Sequence, residues 1–207
     1  MGKIKLDGNV NFNCFHGTFF DKCDNIIKSG FIIPKPQKTN DHWLGHGIYF
    51  YDSYFLANWW AKRKAISYRK KYQEKHIPAV IYCNIFVPQE QVLNLDDRIH
   101  LQRFARYCNS KTKELGLTEH EFHVKKEGDV PSADQIRCFL LDLYKLDNKI
   151  GIVIYTFNKQ ITSYSKSVFK FGNHINLGLE YKEAQYCVSS NDYIRDRYVY
   201  NAREEYV

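Results

Sequence analysis

The 207 residues carry 30 lysines and arginines against 23 aspartates and glutamates, a formal net charge of +7, with 44% hydrophobic and 16% aromatic residues. A chain of this size buries a sufficient core without disulfides and fits a single domain spanning 1–207, and its composition excludes a largely disordered protein. The positive excess favours an anionic partner, nucleic acid or a multiply phosphorylated small molecule, although such a charge also serves solubility.

The N-terminus MGKIKLDGNV lacks the apolar core of a signal peptide and no run approaches twenty apolar residues. A cytoplasmic protein with no membrane partner and with reduced thiols is therefore expected. Six cysteines, at 14, 23, 83, 108, 138 and 187, are scattered singly with no CxxC pair, so no structural zinc is expected.

In chain order, VNFNCF at 10–15 predicts a strand that runs into a turn at His16-Gly17-Thr18. FFDKCDNIIKSG then places Phe20, Cys23, Ile26 and Ile27 on one helical face, with Gly30 as the cap. Residues 31–43, holding Pro34 and Pro36, predict an irregular loop able to lie over a ligand. GHGIYFY at 45–51 predicts a short aromatic strand, and Ser53 caps a long helix over 54–75 whose second half is basic, with six cations between Lys62 and Lys71. AVIYCNIFV at 79–87 and VLNL at 92–95 predict strands, and helical spacing covers 96–115 and 132–146 with a polar loop between them. Strands follow at 150–157, 167–171, 175–181 and 184–190. Strands and helices segregate more than they alternate, which predicts an α+β fold with antiparallel or mixed sheets.

Three segments carry candidate chemistry: HGT at 16–18, GHGIYF at 45–50 and ANW at 57–59. An isolated His-Gly is ordinarily a structural turn, and Gly-x-Gly before an aromatic strand is a common core combination lacking a phosphate loop. Taken in this order, with a late Gln-Tyr strand, the set resembles the diphtheria-toxin-like, poly(ADP-ribose) polymerase type of ADP-ribosyltransferases. The resemblance covers residues 12–61 and 183–194 and implies that family's fold, two small packed antiparallel or mixed sheets with flanking helices.

What the resemblance implies for the site is specific. NAD is the donor substrate, and no metal takes part. His16 is expected to hydrogen-bond the adenine-side ribose, and the main chain of Gly17, beside Thr18, to hold the nicotinamide carboxamide. Tyr49 would stack on the nicotinamide ring, with Trp59 closing the other side and Trp60 left in the core. Cleavage of the nicotinamide–ribose bond develops positive charge at the anomeric carbon, which the family stabilises with a glutamate on a late strand. Here that position holds Gln185, with Glu183 two residues earlier on the same strand face as an auxiliary. An amide binds a ribose hydroxyl without negative charge and so favours single transfer over chain elongation. Leu56 stands where the family offers a serine.

A small basic transferase of this kind resembles the toxin components of bacterial toxin–antitoxin or phage-defence systems, which implies an inhibitory antitoxin protein as a partner. The charge excess then favours RNA or DNA over protein as the acceptor. The alternatives are a protein-directed transferase, an inactive NAD or ADP-ribose binding module, and a distant RNA 2′-phosphotransferase whose arginine signature is not evident. His120 and His123, beside Glu119 and Glu121, have no further ligand spacing and carry no metal expectation.

Overall fold

A long first strand, β1 (Asn9–Phe19), pairs antiparallel along its whole length with β3 (Pro78–Pro88), from Asn9↔Pro88 to Phe19↔Pro78. The computed structural model describes residues 8–34, 42–116, 133–157, 170–171, 175–176 and 183–200. The other strands are β2 (Ile48–Tyr51), β4 (Val92–Asn94), β5 (Ile152–Phe157), β6 (Lys170–Phe171), β7 (Ile175–Asn176), β8 (Glu183–Val188) and β9 (Ile194–Val199). The helices are α1 (Phe20–Ser29), α2 (Tyr54–Tyr72), α3 (Arg98–Glu114) and α4 (Ala133–Asn148).

The fold is mixed α+β, but the expected pair of packed sheets is replaced by one seven-stranded sheet, ordered β4-β5-β8-β2-β1-β3-β9, beside a two-residue β6/β7 pair. All neighbours are antiparallel except β4 and β5. The two halves of this sheet meet at a single register pair, Phe15↔Tyr51, so the join between β1 and β2 is the weakest seam in it.

Strand alternation sorts the core. Cys14, Ile48, Phe50, Ile81, Cys83, Ile85, Ile152 and Val188 form one cluster with Cys23 of α1 and with Phe31. On the opposite face, Leu93, Val153 and Cys187 pack with Leu141 and Tyr144 of α4, while Tyr51 and Val80 pack with Leu56 and Ala57 of α2. The sheet is thus covered by α1 on one side and by α2 and α4 on the other.

Several expectations need correction. His16-Gly17-Thr18 is not a turn: β1 continues through it, because β3 supplies partners Ile81, Val80 and Ala79. Phe20 is 62% exposed, since α1 seats itself on Cys23 one turn later. Ser53 does cap α2, accepting from the Leu56 amide, but the helix stops at Tyr72 because Gln73 takes a left-handed conformation, φ 58°, that closes onto Arg69. The strand expected to reach residue 190 ends at Val188, and a short 3-10 turn at Asn191–Tyr193 delivers β9 to the far edge of the sheet, against β3. Residues 117–132, with His120 and His123, most of the proline loop, and most of the spans read as strands at 167–171 and 175–181 lie outside the described residues.

Candidate active site: a cleft where the sheet parts

Beyond Phe15 and Tyr51 the strands β1 and β2 have no further register pairs, and the gap between them opens a cleft. Alternation alone would put Tyr49 on the α2 face and His16 on the α1 face. The parting strands instead let the imidazole fill the gap, where His16 Nδ1 lies 2.8 Å from the Tyr49 carbonyl oxygen. A carbonyl can only accept, so Nδ1 carries the proton and Nε2 is left as an acceptor.

Burial lowers the His16 pKa from 6.5 to about 4; the bond to Tyr49 opposes this shift and the Lys64 charge adds to it. The ring is therefore neutral at pH 7. Its orientation is set by edge contacts with Phe31 and Phe50, at centroid distances of 4.8 and 5.6 Å. Phe31 is itself pinned, its amide and carbonyl each 2.8 Å from the side chain of Asn191. Gly30, at φ 87°, makes room for that amide group: a Cβ there would lie 2.8 Å from Asn191 Oδ1.

Tyr49 shows its ring rather than its hydroxyl. The hydroxyl accepts from the Leu44 amide at 2.7 Å and donates to the Gly45 carbonyl at 2.9 Å. Burial pushes its pKa up, so it stays protonated. Held at both ends, the ring is a fixed platform and not an acid or base.

The cleft encloses about 720 Å³ and is lined by His16, Gly17, His42, Tyr49, Tyr51 and Trp60, and by Arg63, Lys64, Ile66, Ser67 and Lys70 of α2. The expected clamp, Trp59, is not in its wall. Trp60 is, lying nearly parallel to Tyr51 with centroids 6.3 Å apart. Neighbouring residues on a helix point about 100° apart, and the rotation of α2 is fixed by its contact with β1. A Cβ on Gly17 would come within 2.1 Å of the Ala57 carbonyl oxygen, so the glycine is required by this helix whatever the cleft holds. Leu56, where a serine was expected to reach the ligand, faces the core at 2% exposure.

Residues 60, 63, 64, 67 and 70 recur at helical spacing, so one face of α2 presents an indole followed by cations. Among the described residues no carboxylate forms an ion pair with Arg63, Lys64 or Lys70. Arg63 lies over Trp59 and Lys64 over Phe19.

Of the other expected site residues, Thr18 is buried on the β1/β3 ladder. Gln185 pairs with Tyr51 and shares its sheet face, but it is 3% exposed and outside the cleft wall. Glu183 opens β8 opposite Phe157. Trp60, expected in the core, packs against it and also lines the cleft; Phe31 opens the span expected to lie over a ligand, and Asn191 was given no role. A smaller cavity of about 430 Å³ lies between β4 and the helices α3 and α4, but its histidine, His100, already accepts the Asn94 amide at 3.0 Å.

No family model matches the chain. It is similar to an uncharacterized protein of Methanocaldococcus jannaschii, 30% identical over 124 residues. The match covers 58% of this chain and 55% of that protein, so the chain spans about half the length of its relative. Among the described residues no helix is long and apolar enough to cross a membrane.

Proposed function

We propose that this chain is an NAD-dependent mono-ADP-ribosyltransferase that modifies nucleic acid, in the manner of a toxin or phage-defence effector held in check by an antitoxin protein. The observation that carries this is the convergence, in one cleft, of a neutral His16 whose Nε2 can accept, a Tyr49 ring fixed by its own hydroxyl, and a wall of cations with no carboxylate ion-paired to them among the described residues.

In this reading His16 Nε2 accepts a ribose hydroxyl, and the nicotinamide ring stacks on Tyr49. The bond between the ribose anomeric carbon and the pyridinium nitrogen breaks, its electron pair leaving with nicotinamide as the neutral base. The acceptor nucleophile then bonds to the anomeric carbon and loses its proton. Arg63, Lys64 and Lys70 favour the diphosphate of NAD and the phosphates of the acceptor. The Trp60 Nε1, enclosed without an acceptor among the described residues, is a donor whose satisfaction by a ligand would recover about 1–3 kcal/mol.

Gln185, buried and uncharged, favours a second reading: a module that holds NAD or ADP-ribose without turning it over. Incubation with labelled NAD, RNA, DNA and total protein separates the cases. The expected result is free nicotinamide and one ADP-ribose of added mass on nucleic acid. A protease-sensitive, nuclease-resistant product would replace the acceptor, and saturable binding without nicotinamide release would replace the chemistry.

A further inference from the structure

We infer that His46, Cys138 and Asp142 form a binding site for a zinc-class divalent transition-metal ion, a proposal independent of the NAD reading. Cys138 and Asp142 stand four residues apart on α4 and share one helix face, while His46 belongs to the turn that leads into β2. Their ligand atoms all lie within 4.8 Å of one another. Cys138 Sγ is 3.6 Å from His46 Nδ1 and 3.8 Å from Asp142 Oδ2, and those two atoms are in direct hydrogen-bond contact.

Zinc bonds of about 2.0–2.3 Å in a tetrahedron require ligand atoms about 3.3–3.7 Å apart. The sulfur–nitrogen edge, 3.6 Å, already has that length, and the sulfur–oxygen edge, 3.8 Å, lies just beyond it. The nitrogen–oxygen edge has to open by about 1 Å, a small rotation of two side chains.

Two other roles for the cluster fit less well. In a nucleophilic Cys–His–Asp relay, the thiol and the carboxylate address opposite nitrogens of the imidazole. Here both converge on Nδ1, so no proton can pass between them through the ring. The thiol is also buried, at 2% exposure, which closes it to a substrate.

A plain ion-pair fastener accounts for both carboxylate oxygens but not for the thiol set beside Oδ2 and Nδ1. Asp142 Oδ1 accepts from the His46 amide at 2.8 Å and from Lys145 Nζ at 2.8 Å. Lys145 also bonds the His46 carbonyl. These contacts saturate Oδ1 and aim Oδ2 at the imidazole and the thiol, which is how outer contacts orient a ligating carboxylate. On binding a metal the Cys138 thiol would release its proton to solvent, and the resulting thiolate and the carboxylate would balance the charge of a dication.

The fourth position falls to water or to His42, whose ring centroid is 5.1 Å from that of His46. An ion here would tie α4 to the Leu44–Tyr49 turn, the same turn that grips the Tyr49 hydroxyl.

Cobalt(II) titration of the chelator-treated full chain tests this, with metal content of the untreated protein measured in parallel. One equivalent is expected, with the intense visible absorption of a tetrahedral centre and a near-ultraviolet thiolate-to-cobalt band that zinc abolishes. Cys138→Ser is expected to lose the band, and Asp142→Asn to weaken affinity by about 10- to 100-fold. Wild-type protein that shows no band, or a band that survives in Cys138→Ser, overturns the site.

Discussion

Two histidines thirty residues apart, His16 and His46, are given opposite surroundings by the same sheet. His16 meets two aromatic edges and a carbonyl, and among the described residues the charge that acts on it is a repelling Lys64. His46 meets a carboxylate, a thiol and a buried ammonium. The first environment makes a neutral hydrogen-bond acceptor at the mouth of a cleft; the second makes a polar clamp inside the fold. The difference shows that a histidine's role here is decided by which strands part and which close. Where β1 and β2 separate, a ring is left facing a ligand-sized space. Where the β2 turn meets α4, a ring is drawn into a charged cluster.

The sharpest way to break that contrast is to delete each ring. His16→Ala is expected to lower nicotinamide release about a thousandfold, about 4 kcal/mol of transition-state stabilisation, and to leave a cooperative thermal melt. His46→Ala is expected to act the other way. It strips Asp142 of a partner, lowers stability by about 3 kcal/mol, and reduces turnover only in proportion to the protein unfolded. Equal activity losses at equal stability would abolish the distinction between cleft and clamp.

Next in size is Gly17→Ala. The new methyl would sit 2.1 Å from a helix carbonyl that cannot move without shifting α2. A loss of about 3 kcal/mol in urea-unfolding free energy is expected. A neutral result would show that α2 can slide along β1, so that the cleft wall is adjustable rather than fixed.

The low pKa of His16 makes stability depend on pH. Its folded value, about 4, lies below the unfolded 6.5. Between these values the unfolded chain holds a proton that the folded chain refuses. The stabilising neutral form is fully present above 6.5, and stability falls as pH drops through 6.5 toward 4, by at most about 3 kcal/mol. Unfolding at pH 7 and at pH 4.5, compared between wild type and the non-titrating His16→Leu, isolates this contribution. Parallel pH slopes in the two proteins would mean the ring is solvated and titrates normally.

Much of this arrangement was legible in the residues. Alternating Val, Ile, Phe and Cys at 79–87 announced β3, Ser53 announced the start of α2, and the HGT and GHGIYF segments were brought to one cleft. What escaped is what depends on contacts distant in sequence. The last strand, Ile194–Val199, was not anticipated: it carries Arg195, Asp196 and Arg197, charges that an edge strand tolerates and that obscure its apolar alternation. Whether Trp59 or Trp60 faces the cleft turns on the packing of Ala57 against Gly17, not on any periodicity. Cys138 and Asp142 come to His46 from 92 and 96 residues away, so no local ligand spacing could announce them. The seam between β1 and β2 follows from a register that breaks after one pair, which neither strand shows by itself.

The smallest expected effect concerns the cationic wall, where the cleft differs most from the clamp: Lys145 spends its charge on Asp142, while Arg63 and Lys64 have no carboxylate among the described residues. Replacing both, as Arg63→Ala with Lys64→Ala, is expected to weaken binding of an RNA or DNA oligonucleotide about tenfold at low salt, about 1.4 kcal/mol. The dependence of log affinity on log salt is expected to flatten by one to two. Protein stability should stay nearly unchanged, since both side chains reach solvent and exposed substitutions of this kind shift stability by about 0.5 kcal/mol at most. An unchanged salt slope would move the nucleic acid elsewhere on the surface and leave this wall to the diphosphate of the dinucleotide alone.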